Sequence, residues 1–389
     1  IKYHLAEDTI DKQDIDVLIE WLKTNPHLTK GGLTVEFEKK WGDWWGREYS
    51  VFCNSGSSAN LLMFYALLLS KKLKNKKVIV PSAGWPTTIT PAIQFGFEPI
   101  MCEADKSTFA MDINHLEELV ERYNPGAVIF VQVLGVPHQQ IDELLALKEK
   151  YGFVLLEDAC AAMGASYHGR KVGTFGDMAS FSLYFGHQLS TIEGGVVSTN
   201  DSEFNDLLLM LRSHGWGKDL PEESRDALLK KYDIDNFHNP FIFYEPGFNL
   251  RATDFQAFLG LRQLDKMDWL IKRRSENHYL YKKLLGEKLY TQIYDKNTVP
   301  CSIHFCSLAK SAEERRIIVT ALEENAIETR LYTAGNLGLH PFWTNRYGEA
   351  HFKWADELYA RGFFLPNHPA LKVEDVKFIS GVVLKAINR

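Results

Sequence analysis

The sequence lacks the features that would commit it to a membrane, to nucleic acid or to a metal scaffold. No window approaches the ~18 to 20 continuous apolar residues of a membrane span, and Ile1 to Asp8 lack the charged-then-apolar pattern of a secretory leader. A cytoplasmic location with no membrane partner is therefore expected. The 44 Lys and Arg against 50 Asp and Glu give a formal charge of -6, which leaves no general basic field. The one lysine-rich stretch, Lys71 to Lys77, reads as a solvated turn between a helix and a strand, so nucleic acid is not an expected partner. The five cysteines, Cys53, Cys102, Cys160, Cys301 and Cys306, form an odd set with no CxxC pair. That excludes a disulfide framework and a zinc ribbon, and no metal is expected. Lysine is missing as well, since none occurs between Lys171 and Lys218.

What is present is an ordinary globular composition, 45% hydrophobic and 24% charged, over 389 residues. This is enough chain for a large domain and a smaller one. An amphipathic stretch, Asp11 to Leu22, and a second helical segment, Val35 to Trp45, form an entry arm. From about residue 50 to 200, short β-rich runs alternate with helical patterns: Val78 to Pro81, Pro99 to Met101, Ala127 to Val133, Phe153 to Asp158, Ala179 to Tyr184 and Gly195 to Thr199. Buried runs separated by helices predict an α/β fold with a mostly parallel central sheet, whose ligands gather beyond the carboxyl ends of its strands.

Lys218 to Glu245 has no clear periodicity and reads as a long functional loop. A helix is expected from Thr253 to Leu270, a strand at Cys301 to Phe305, and helices at Ala312 to Asn325 and Val373 to Ala386. The expected division is an arm and large cofactor-binding α/β domain over 1–250, then a linking helix and small α+β domain over 251–389.

Four strand ends carry chemistry. Asn54-Ser-Gly-Ser-Ser-Ala-Asn precedes an apolar helix, so Gly56, Ser57 and their neighbours offer free main-chain N–H groups to a phosphate, although Ser and Asn are also ordinary helix caps. Glu157-Asp158 closes an apolar strand, where a carboxylate calls for a cationic partner such as a pyridinium N–H. Ser182 lies on the Ala179 strand, able to bond a phosphate, and His187 follows five residues later in Phe185-Gly-His-Gln-Leu-Ser-Thr-Ile-Glu-Gly-Gly. Trp85, in Pro81-Ser-Ala-Gly-Trp-Pro, can stack on a planar ring. Each feature alone has a plain structural reading. Their conjunction is what informs.

With Gly173-Thr-Phe-Gly-Asp-Met-Ala-Ser-Phe-Ser, Glu193-Gly-Gly and Pro246-Gly-Phe-Asn-Leu-Arg added, nearly the whole chain resembles the sugar-modifying branch of the aspartate aminotransferase superfamily, the fold type I vitamin B6 enzymes. In sugar aminotransferases of that branch, the residue six before Glu193 is the lysine that holds pyridoxal phosphate. Here it is His187, and the lysine gap leaves no near substitute. The replacement resembles the 3-dehydratases of 4-keto-6-deoxy nucleotide sugars. So do His214-Gly-Trp and Thr329-Arg-Leu-Tyr-Thr-Ala-Gly-Asn-Leu, less specifically.

Some such dehydratases carry an iron–sulfur cluster on cysteines that precede the Gly-Phe-Asn-Leu motif. No cysteine lies between Cys160 and Cys301, which points to the cluster-free kind acting on GDP-4-keto-6-deoxymannose.

The resemblance implies pyridoxal or pyridoxamine phosphate as cofactor, glutamate as amino donor and a nucleotide-linked 4-keto-6-deoxy sugar as substrate. Gly56, Ser57 and Ser182 would hold the phosphate, Asp158 the ring nitrogen and Trp85 the ring face, with Asn249 reaching a phosphate across a homodimer. His187 would be the base: an unperturbed imidazole titrates near ~6.5 against ~10.4 for lysine, so it is largely a free base near neutrality. His214 would bond the hexose or donate a second proton. Gly186 and Ala161 depart from the pattern, Ala161 where relatives carry Gln or Glu near the ring. The alternatives are a sugar aminotransferase, a CDP- or dTDP-linked 3-dehydratase, and a non-catalytic nucleotide-sugar-binding protein.

Overall fold

The computed structural model describes residues 1–235 and 237–388. The expected parallel sheet is present, with seven strands: β1 (Tyr49–Cys53), β2 (Lys77–Pro81), β3 (Glu98–Cys102), β4 (Ala127–Val131), β5 (Val154–Asp158), β6 (Met178–Ser182) and β7 (Gly195–Thr199). Their order across the sheet is β1-β7-β6-β5-β4-β2-β3. Only β7 runs against its neighbours, β1 and β6. The carboxyl ends of the other six therefore share one edge of the sheet.

Every residue of β5, β6 and β7 is buried, because apolar side chains pack on both faces. The helix Gly56–Leu69 is apolar nearly all round and so lies inside, between the sheet and the helix Ser202–Arg212.

A second, antiparallel sheet contains Tyr290–Thr291, His304–Leu308 and Gly362–Pro366. The helices Met267–Leu285, Ala312–Glu324 and Val373–Ile387 cover it and close a separate apolar core. The first residues of the chain also dock here, where Tyr3 bridges Ile327. Among the described residues, no helix is long and apolar enough to cross a membrane.

Three sequence expectations need correction. The stretch read as a loop from Lys218 contains the helix Glu222–Tyr232, which buries no residue and so leaves no apolar periodicity to detect. The single helix expected from Thr253 is two, Asp254–Leu264, capped by Thr253, and Met267–Leu285. The strand expected to start at Cys301 starts at His304, because side chains claim the preceding carbonyls: Gln188 Nε2 donates to Cys301 O (2.6 Å) and Asn367 Nδ2 to Ser302 O (2.8 Å).

His138, His278, His304 and His368 are buried, and burial pushes each below its ordinary value, His278 to about 3 and His368 to about 4. The unfolded chain therefore binds protons below about pH 6.5 that the folded chain refuses. Their contribution to stability is complete above about pH 6.5 and is lost as the pH falls toward 4. Urea midpoints at pH 7.5 and 5.0 check this: the midpoint should drop at pH 5.0, and an unchanged midpoint would mean that these rings protonate in place without cost.

Candidate active site

The shared carboxyl edge gathers the chemical groups. At the end of β1, Ser55 caps the helix Gly56–Leu69 by accepting from Ser58 N at 3.1 Å. The N–H groups of Gly56 and Ser57 are left without an acceptor among the described residues. Gly56 lies directly against the end of β6, where a Cβ on it would stand 2.4 Å from the Cβ of Ser182. Only glycine lets the two free N–H groups and the buried Ser182 hydroxyl close around one small space, the size of cradle a phosphate needs. The Ser57 hydroxyl donates to Thr87 Oγ1 at 3.1 Å, which ties the cradle to the loop carrying Trp85.

Asp158, at the end of β5, is 4% exposed. Its Oδ2 accepts from Asn60 Nδ2 (2.9 Å) and Thr88 Oγ1 (2.7 Å), and its Oδ1 from Cys160 N (3.1 Å). Asn60 is held in turn by Ser180 Oγ, which donates to its Oδ1 at 2.7 Å. All these donors are neutral, and a carboxylate can accept roughly four hydrogen bonds. A buried, uncompensated carboxylate with capacity to spare suits a pyridinium N–H. Trp85 caps the next helix, Pro86–Gln94, and stays 51% exposed, an aromatic face open for stacking.

His187 lies on the loop from β6 to β7, above the same edge. Arg274 Nη2 donates to its main-chain oxygen (2.9 Å), and its neighbour Gln188 donates to Ala161 O (2.8 Å) and Cys301 O. The loop is thus pinned by the main-chain oxygen of His187 and the side chain of Gln188, while Nδ1 of the imidazole is shielded from solvent and has no partner. Burial pushes His187 down to about 4, helped by the charge of Arg274 and opposed by Asp158. The ring is therefore neutral at physiological pH.

His214 and Asn249 sit on an adjoining strip. His214 adopts a left-handed backbone (φ 62°), donates its N–H to Phe248 O and sets its ring edge-on to Trp216 at 5.2 Å. Asn249 is exposed, bridges Ser213 and accepts from Arg251 Nε at 3.1 Å. The strip joins the cradle where Asn54 N donates to Leu250 O at 2.9 Å.

Sequence reasoning missed Asn60, Thr88 and Ser180, which hold Asp158. Asn60 was legible in principle, because it stands four residues after Gly56 on the same face of the helix. Arg274 gave no local signal. Among the described residues no three His, Cys, Asp or Glu side chains are grouped so as to hold a metal ion.

The chain has known relatives. Over 398 aligned residues the chain is 31% identical to GDP-4-keto-6-deoxy-D-mannose 3-dehydratase of Yersinia pseudotuberculosis, with 99% of each chain covered. It is 28% identical to GDP-perosamine synthase of Escherichia coli O157:H7, covering 90% of this chain and 89% of that one. Among solved structures, the E. coli GDP-4-keto-6-deoxy-D-mannose-3-dehydratase with bound hydrated PLP superposes with a TM-score of 0.89 at 28% identity, over 98% of this chain and 99% of that one. The profile of one family spans residues 8–383, the cradle, Asp158, the His187 loop and the second sheet included, and the chain belongs to that family, the DegT/DnrJ/EryC1/StrS aminotransferases.

Proposed function

We propose that the protein removes the C3 hydroxyl of a nucleotide-linked 4-keto-6-deoxyhexose, GDP-4-keto-6-deoxymannose in the first instance, using pyridoxamine phosphate and no iron–sulfur cluster. The observation that carries this reading is His187: an imidazole with an unpartnered Nδ1 stands on the loop between β6 and β7, in a chain with no lysine between Lys171 and Lys218. A histidine can take a proton but cannot hold the cofactor covalently, so the site favours the amine form, bound by non-covalent contacts. The match to 3-dehydratases over the full chain supports the reaction, and the absence of cysteine between Cys160 and Cys301 supports independence from a cluster.

The bound cofactor supplies an amine for the C4 ketone of the sugar and a ring that stores electrons. Gly56, Ser57 and Ser182 would hold its phosphate. Asp158 would keep the ring nitrogen protonated, so that the ring could withdraw electrons, and Trp85 would cover the ring face. His187 would be the base for a proton at the cofactor's C4′ carbon, the chemistry that allows the C3 hydroxyl to leave as water. His214 serves the hexose as a hydrogen-bond partner or proton donor. Glutamate restores the amine.

We further propose a cytoplasmic homodimer, in which the exposed Asn249 is free to reach the partner's phosphate site. Residues 1–250 then form the cofactor-binding unit, with 251–389 beside it.

The test is incubation with pyridoxamine phosphate, glutamate and GDP-, CDP- and dTDP-4-keto-6-deoxyhexoses, following product mass and ammonia. Loss of the C3 oxygen with ammonia release and no added reductant is the expected result. An amino sugar, formed with stoichiometric use of glutamate, would replace this reading with transamination.

A further inference from the structure

We infer that Arg274 is a positioning residue for His187, holding the base by its main-chain oxygen from a buried polar frame at the edge of the second sheet. The inference rests on the proposed role of His187 as the base. The frame begins in the helix Met267–Leu285, which buries Arg274, Ser275 and His278. Against it lie two segments just beyond the paired ends of the second sheet. His304 pairs with Pro366 there, so Ser302 and Ile303 enter the sheet beside Asn367, which leaves it. Asn367 Nδ2 donates to Ser302 O and to Ser302 Oγ, both at 2.8 Å, and His278 Nδ1 stands 2.8 Å from the same hydroxyl. Ser275 Oγ donates to Pro300 O at 2.6 Å. Every one of these side chains is buried.

Arg274 reaches out of this frame to the first sheet. Its Nη1 donates to Asn367 O (2.8 Å), Ile303 O (3.2 Å) and Ser302 O (3.4 Å), and its Nη2 to His187 O (2.9 Å). One planar group therefore ties the loop between β6 and β7 to both segments of the second sheet. The cost of placing it there is high. The guanidinium is 1% exposed with no acid partner among the described residues, and burial lowers it to about 10. A buried, unpaired cation is destabilising, and a well-packed apolar side chain would close the same core at lower cost. What an arginine alone supplies is a rigid fork of donors, long enough to satisfy the carbonyls of three segments at once.

The charge serves the base as well. Arg274 and Arg330 favour the neutral ring of His187, while Asp158 and the main-chain oxygen of Cys160 favour the protonated one, and the nearby His304 is itself buried and neutral. Of the two cations, Arg274 is the one bonded to His187. A residue that only joined the two sheets would leave the titration of this ring unchanged, and that separates positioning from plain support.

The experiment compares wild type, Arg274→Lys, Arg274→Met and Asn367→Ser, each checked by thermal melting. Lysine keeps the charge without the fork, methionine keeps much of the bulk without the charge, and Asn367→Ser loosens the frame from its far side. The His187 ring is titrated by NMR in cofactor-free protein labelled at histidine, its signal assigned by its loss in His187→Asn. Single-turnover deoxygenation is then followed against pH in protein loaded with pyridoxamine phosphate. Displacement of a reacting group by about 1 Å costs on the order of 100-fold. The rate should therefore fall by about 10- to 100-fold in both Arg274 variants and by less in Asn367→Ser, with half-saturating sugar and cofactor affinity near wild type. The ring titration and the acidic limb of the rate profile should move to higher pH in Arg274→Met and stay in place in Arg274→Lys. A wild-type rate in Arg274→Lys and Asn367→Ser overturns the inference, and these two variants decide it if Arg274→Met does not fold. A ring titration unmoved in folded Arg274→Met overturns it too, as does a loss of rate that only tracks lost cofactor. If wild type deoxygenates no sugar, the proposed reaction fails, while the ring titrations still decide Arg274.

Discussion

Replacing His187 with alanine or asparagine is expected to slow deoxygenation by about 10² to 10⁴-fold, the usual loss when a positioned general base is removed, while pyridoxamine phosphate binds nearly as in wild type. The two effects separate because the structure separates the side chain from the anchoring of the loop. The loop is held through the main-chain oxygen of His187 by Arg274 and through the side chain of Gln188, and neither bond uses the imidazole. Asparagine keeps a polar side chain without basicity, so it distinguishes a base from a mere hydrogen-bond donor. Added imidazole should restore part of the rate in the alanine variant, since that substitution leaves a void beside a covered, polar position. Measurement is by single-turnover assay of protein loaded with pyridoxamine phosphate, with cofactor affinity taken from fluorescence titration. An alanine variant that turns over normally would remove His187 from the chemistry. One that loses the cofactor and the rate together would make it a binding residue instead.

How far the sequence foretold this site depends on how local each signal is. The cradle and Asp158 were legible only together, because a serine-flanked glycine at a helix start is also an ordinary cap and an acid at a strand end also an ordinary turn residue, while their meeting at neighbouring strand ends is not. The sheet was legible because buried strands leave continuous apolar runs. The helix Glu222–Tyr232 was not, since it buries nothing and its sequence keeps no periodic mark. The start of the His304 strand was missed because the distant side chains Gln188 and Asn367 occupy the carbonyls before it. Arg330 shows the same limit at the site itself. Its motif was visible, but its docking against Trp85, some 245 residues earlier in the chain, is recorded in no local pattern.

The adjacent acids Glu157 and Asp158 point to opposite faces of β5, as successive strand residues must, and the two are expected to fail differently when removed. Glu157 is fully buried and accepts from Gln132 Nε2 (2.8 Å) and from the main-chain N–H groups of Gly173 (2.7 Å), Phe175 (2.9 Å) and Gly176 (3.1 Å). Arg47 binds the carbonyls of Gly173 and Gly176 from the other side, and the charge of Glu157 helps keep that buried guanidinium protonated. Glu157→Ala leaves these donors unsatisfied and leaves the Arg47 charge with Asp177 alone to offset it, which should cost about 3–5 kcal/mol. For a chain of this length that lowers the melting temperature by roughly 5 °C.

Asp158→Ala removes a carboxyl group whose protein partners are all neutral, so on the proposed assignment most of its value lies in the pyridinium it would face. Cofactor affinity should fall by about 100-fold or more, the scale for truncating one member of a buried charge pair, with a smaller change in the melting temperature of cofactor-free protein. Calorimetric titration with pyridoxamine phosphate and thermal melting of both variants decide the matter. Equal cofactor affinity in Asp158→Ala and wild type would show that the ring nitrogen is held elsewhere, and the assignment of this edge as the cofactor site would fall with it.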